Sequence, residues 1–109
     1  MITSKLAIEL DLVKLSDGED REIASCYISD MLSRVLGGCK SGDVLITVQT
    51  SLNMVAVAVM TEAACVILTE GLTVSDSVAE KANEEGLTIY SSKETAFSLG
   101  VKISDLLKK

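Results

Sequence analysis

The chain has 109 residues, of which 48% are hydrophobic, 24% charged and only 3% aromatic, with a formal net charge of −6. That length and balance give one globular domain with a core of Val, Leu, Ile, Ala and Met, and they exclude disorder. Acidic residues outnumber Lys and Arg by 16 to 10, Trp is absent, and Tyr27, Tyr90 and Phe97 are scattered, so the sequence offers neither the basic stripe nor the stacking platform of a nucleic-acid binder.

Thr3 or Ser4 is placed to cap a short helix carrying Leu6, Ala7 and Leu10 on one side. Leu12–Leu15 reads as a brief strand closed by the Ser16-Asp17-Gly18 turn, and Ile23–Ile28 as a second strand. Asp30 is expected to cap a helix over Met31–Leu36 that Gly37-Gly38 stops. Then follow a buried strand at Asp43–Val48, a helix at Leu52–Ala64, a strand at Cys65–Leu68 and a helix at Ser75–Glu85 capped by Gly86. Thr88–Ser91 closes the series of strands, and a last helix runs from about Ser92 to Leu107 behind a Ser91/Glu94 capping box, with Gly100 inside it marking close packing or a break. Strands alternating with helices at these spacings form right-handed βαβ units. The fold class is therefore α/β: a small, mostly parallel sheet with helices on both faces. No Pro and no Gly/Ser-rich linker interrupts the chain, so residues 1–109 are read as a single domain.

The start lacks the features of a signal peptide, and the longest apolar run, Met54–Met60, is too short to span a bilayer. The expectation is a soluble, cytoplasmic protein that engages neither membrane nor nucleic acid. Cys26, Cys39 and Cys65 are odd in number, without metal-knuckle spacing, and set among apolar neighbours, which reads as buried reduced thiol.

The sequence contains no His, no GxxxxGK[ST] loop and no GxGxxG after the first strand, which excludes Ser-His-Asp and Cys-His arrangements and the common phosphate cradles. No metal or cofactor is expected. Asp17, Glu19, Asp20 and Glu22, and the pair Glu84/Glu85, read as a solvated loop and an outer helix face. Binding or regulation is thus expected in place of catalysis, with carboxylate chemistry as the remaining alternative. Ligands of open parallel sheets bind outside the carboxyl ends of the strands. Thr47, Gln49, Thr50, Asn53, Thr69 and Gly71 fall at two such ends and are the candidate ligand-binding residues, facing a small anion such as a nucleotide or phosphorylated metabolite. The plainer alternative is that Thr50 or Ser51 caps the next helix and Thr69 satisfies a turn.

Gly42-Asp43-Val44-Leu45-Ile46-Thr47, the Ala/Val-rich helix after it, and Cys65-Val66-Ile67-Leu68-Thr69-Glu70-Gly71-Leu72 together resemble the DRTGG domain family. The resemblance continues through Ala79–Leu87 and also takes in Tyr27–Ser33. Gln49-Thr50-Ser51-Leu52-Asn53 is similar to a stretch of small stand-alone members. Where the family has Asp-Arg the chain has Thr50-Ser51, and the first Gly of Thr-Gly-Gly is Glu70; Thr69 and Gly71 fit. The family is an accessory module of bacterial phosphotransacetylases and of pyrophosphatases with CBS domains. A distant relative opens the kinase/phosphorylase of the sugar-transport phosphocarrier, itself similar to the N-terminal domain of Mur ligases. The resemblance implies a regulatory or scaffolding domain that binds a protein partner; kinase activity is not implied, because the kinase's phosphate loop is missing.

A homodimer is expected from the helix at Leu52–Ala64. Leu52, Val55, Ala56, Val59 and Ala63 share one stripe, assigned to the sheet, which leaves Met54, Val57, Ala58 and Thr61 as an outward apolar stripe for a second copy. The N-terminal helix folding over that stripe is the alternative.

Overall fold

A computed structural model describes all 109 residues. In chain order the elements are α1 (Thr3–Glu9), β1 (Val13–Lys14), β2 (Ser25–Ile28), α2 (Leu32–Gly38), β3 (Asp43–Thr47), α3 (Leu52–Met60), β4 (Cys65–Leu68), α4 (Asp76–Glu84), β5 (Ile89–Ser91) and α5 (Ala96–Leu107). The strands form one sheet in the order β1-β5-β4-β3-β2; β2 to β5 are mutually parallel, and only β1 runs antiparallel, with Val13 opposite Ser91. The α/β reading with a mostly parallel sheet is what the chain adopts.

Alternate strand residues feed two cores, as the pleat requires. Leu45, Val66, Leu68 and Ile89 pack under α2, α3 and α4 through Val35, Met54, Ala58, Val78 and Ala82. Val44, Ile46, Cys65, Ile67 and Tyr90 pack under α1 and α5 through Leu6, Leu10, Leu99 and Ile103. The βαβ units β2-α2-β3, β3-α3-β4 and β4-α4-β5 thus keep their helices on one face, and after β5 the chain returns to the face on which it began with α1. Gly100 marks close packing, since a Cβ there would lie 3.2 Å from Ile28 Cδ1.

Helix ends depart from the sequence expectations because their caps come from afar. Neither Thr3 nor Ser4 is the N-cap of α1; that residue is Ile2, and the Asp20 carboxylate accepts from Thr3 Oγ1 at 2.6 Å and from the Ser4 N–H at 2.8 Å. Asp30 does not cap α2, whose N-cap is Met31; its Oδ1 accepts instead from Thr47 Oγ1 at 3.2 Å and the Val48 N–H at 2.9 Å. The Ser91/Glu94 capping box is not formed, because α5 begins at Ala96 with Thr95 as N-cap, accepting from the Ser98 N–H. α3 stops at Met60, where Thr61 caps it and Glu62 turns left-handed at φ 59°.

The stripe expected to face outward on α3 is the one this chain covers itself. Met54 and Ala58 are fully buried, Thr61 is buried and donates its hydroxyl back to Val57 and Ala58 carbonyls, and Val57 is half-buried. Leu52, Ala56 and Met60, assigned to the sheet side or left unassigned, are exposed. α3 is apolar nearly all round, so periodicity cannot say which side it buries; the neighbours α2 and α4 decide it.

Candidate functional site

Parallel pairing brings the carboxyl ends of β3 and β4 to one edge of the sheet, with Thr47 opposite Leu68 and the Thr69 N–H on the Thr47 carbonyl at 3.4 Å. Thr47, Gln49, Thr50 and Thr69 therefore share that edge. Much of their polarity is satisfied internally. Thr47 Oγ1 donates to Asp30 and accepts from the Gln49 N–H, and Gln49 Nε2 donates to the Asp30 carbonyl at 2.8 Å. Ser51 caps α3 by accepting from the Met54 N–H at 3.3 Å. Asn53 turns away to the groove between α3 and α4, beside Leu52, Ala56, Met60 and Lys81. Gly71 lies past Thr69 at the start of the β4–α4 loop, its N–H on the Ser92 carbonyl.

The space lies one strand further along. The chain leaves β4 toward α4 on one face and leaves β5 toward α5 on the opposite face, and a crevice opens where neighbouring strands send their connections apart. A cavity of about 590 Å³ sits there. Gly71 and Thr73 from the β4–α4 loop, Ser92 and Lys93 from the β5–α5 loop, Glu9 at the end of α1 and Asp11 from the α1–β1 loop line it together with Leu10, Val13 and Leu15. The two strand-end loops are tied at the base, the Glu70 N–H donating to the Glu94 carbonyl at 3.0 Å and the Gly71 N–H to the Ser92 carbonyl at 2.8 Å. Residues 70 and 71 are both left-handed, at φ 57° and 75°, which gives a physical reason for paired glycines there and makes Glu70 a strained substitute. Glu94 is fixed by Lys102 Nζ at 2.6 Å and by the Ser98 hydroxyl, and these partners hold its carboxyl below the usual range. Of the residues lining this cavity, the sequence reading had singled out only Gly71 as a ligand-site candidate. The signal it lacked was the face to which α5 returns, which is not a local property.

A second surface lies along β2. This strand is one edge of the sheet. The Ala24 N–H donates to Gly42, so alternation in a parallel ladder turns the N–H groups of Ser25 and Tyr27 outward. Beside that edge Ile28, Phe97 and Val101 are 48%, 81% and 46% exposed and line one shallow groove with Gly100 and Ser104.

The cysteines are free; Cys39 and Cys65 are buried, and burial pushes the partly covered Cys26 thiol up to about 11 and raises the other two as well. Burial of this kind favours the thiol over the nucleophilic thiolate. No three acidic or thiol side chains are grouped to hold a metal ion, and no helix is long and apolar enough to cross a membrane.

The profile of the DRTGG domain matches residues 5–106. No curated protein matches the chain. Among solved structures it is similar to the CBS and DRTGG domains of the regulatory region of Clostridium perfringens pyrophosphatase, complexed with its activator diadenosine tetraphosphate, with a TM-score of 0.73 and 17% identity. The alignment covers 89% of this chain and 43% of that one, so the chain spans less than half of the regulatory region it matches.

Proposed function

This chain belongs to the DRTGG domain family, and from that premise we propose that it is a regulatory domain without chemistry of its own, which pairs with a second copy and docks on a protein partner whose activity it sets. The observation that carries the reading is Phe97, 81% exposed on α5 beside the open edge of β2. A single exposed apolar residue is ordinary on any protein. Here Ile28 and Val101 adjoin it around one groove, and the unpaired edge of β2 runs alongside. Antiparallel pairing of two β2 edges about a two-fold axis is self-complementary and would bury both. The interface so placed replaces the α3 stripe. A role without catalysis is supported by the absence of His and by thiols that burial keeps protonated. Free cysteines fit a reducing compartment, in keeping with a cytoplasmic domain.

Light scattering on the purified chain at high micromolar concentration tests the pairing. The expected result is a dimer that Phe97→Glu converts to a monomer with an unchanged circular-dichroism spectrum. A wild-type monomer, or a dimer indifferent to both Phe97→Glu and Ile28→Lys, overturns it.

A further inference from the structure

We propose that the crevice at the carboxyl ends of β4 and β5 binds a small zwitterionic metabolite, its anionic group beside Lys93 and its cationic group beside Glu9 and Asp11. The site does not rest on the pairing argued above, since it shares no residue with the Ile28–Phe97–Val101 groove.

Topology and volume point to the same place. The crevice is the one position along the parallel strands where adjacent connections part to opposite faces, and its cavity of about 590 Å³ lies within the range of small-molecule sites. The polarity of the lining sets the ligand class. Lys93, from the β5–α5 loop, and Glu9 and Asp11, from the end of α1 and the turn after it, all line the cavity and take part in no ion pair. Lys102 is neutralised by Glu94 at 2.6 Å, which leaves Lys93 as the free cation. α1 terminates at Glu9, so its carbonyl end adds to the negative potential around Glu9 and Asp11. A simple anion would meet repulsion from Glu9 and Asp11, and a simple cation from Lys93. A molecule with both charges satisfies both, and its carbon skeleton lies on Leu10, Val13 and Leu15. Thr73 and the Ser92 hydroxyl, which accepts from the Glu94 N–H at 3.1 Å and keeps its own proton to donate, are neutral polar groups of the lining.

Amide chemical-shift titration of the whole ¹⁵N-labelled chain tests the site. Phosphoethanolamine and γ-aminobutyrate are the zwitterionic probes, which separate a phosphate from a carboxylate as the anionic end; inorganic phosphate and ethanolamine are the single-charge controls. The expected result is a saturable shift with at least one zwitterion, mapping to Asp11, Gly71, Thr73 and Ser92–Glu94, with at least about tenfold weaker binding of either control. Lys93→Glu and Asp11→Asn, both of exposed side chains, should each weaken that zwitterion about tenfold or more while the remaining spectrum stays folded. No shift with either zwitterion up to about 10 mM overturns the proposal. So do shifts centred on Thr50 and Asn53, or equal binding of inorganic phosphate.

Discussion

Two junctions at the carboxyl edge of the sheet, β2/β3 and β4/β5, have similar polar residues and opposite fates. At β2/β3 both outgoing connections turn to the same face, and Asp30 from the β2–α2 loop and Thr47 and Gln49 at the end of β3 hydrogen-bond one another across the gap. At β4/β5 the connections diverge, and Lys93, Glu9 and Asp11 stand free around a cavity. The polarity of a strand-end loop therefore does not make a site. The direction in which the chain leaves the strand decides whether polar groups satisfy each other or remain available.

The comparison breaks most visibly in stability. Asp30→Ala removes two hydrogen bonds that a carboxylate makes to the Thr47 hydroxyl and the Val48 N–H, and should lower stability by about 1.5 kcal/mol in urea unfolding. Lys93→Glu, which touches no partner at the open junction, should change it by less than about 0.5 kcal/mol. Equal losses would mean that the open junction is as tightly knit as the closed one.

A somewhat smaller effect is expected at the tie between the β4–α4 and β5–α5 loops. Glu70 holds φ 57°, where a Cβ is disfavoured, and both N–H groups of residues 70 and 71 are engaged whatever the side chain. Glu70→Gly should therefore stabilise the chain by about 1 kcal/mol, and Gly71→Ala, with open space around its Cβ but φ 75°, should destabilise it by about 1 kcal/mol. A Glu70→Gly variant less stable than wild type, by differential scanning calorimetry, would show that the Glu70 side chain contributes more than its backbone strain removes.

The strands, their mostly parallel pairing and most helices were legible in the sequence because each rests on local signals: short Val/Ile/Leu runs, Ser75 and Gly86 at the ends of α4, and βαβ spacing. What could not be read depends on distant partners. Asp20 caps α1 from another loop, and Asp30 satisfies β3 in place of α2. Met54 and Leu52 exchanged their expected environments because α3 has no polar side to orient it. Strand-end reasoning put Thr69 and Gly71 at the carboxyl edge, but of the two only Gly71 lines the crevice at β4/β5, and locating that crevice requires knowing that α5, alone among the helices that follow a parallel strand, packs against the opposite face.

The faintest difference should appear in acid and salt. Glu94, a wall of the open junction, is held below the usual carboxyl range first by Lys102 and then by the Ser98 hydroxyl, whereas Asp20 is held low by the hydroxyls of Ser4 and Thr3 and the Ser4 N–H. Both carboxylates are better proton donors folded than unfolded. Each contribution to stability is therefore fully present above the unfolded carboxyl pKa of about 4 and fades as pH falls through the lower folded value. Glu94→Gln and Asp20→Asn should both lower the melting temperature slightly at neutral pH, with the deficits shrinking toward about pH 3. Salt separates them. In the Glu94–Lys102 pair the ammonium is exposed and the carboxylate partly covered, so about 1 M NaCl should screen the pair and remove much of the Glu94→Gln deficit. Asp20 is held by neutral donors, so its deficit should persist. If salt erased both deficits alike, the Asp20 cap would be acting through long-range charge instead of its hydrogen bonds to Thr3 and Ser4.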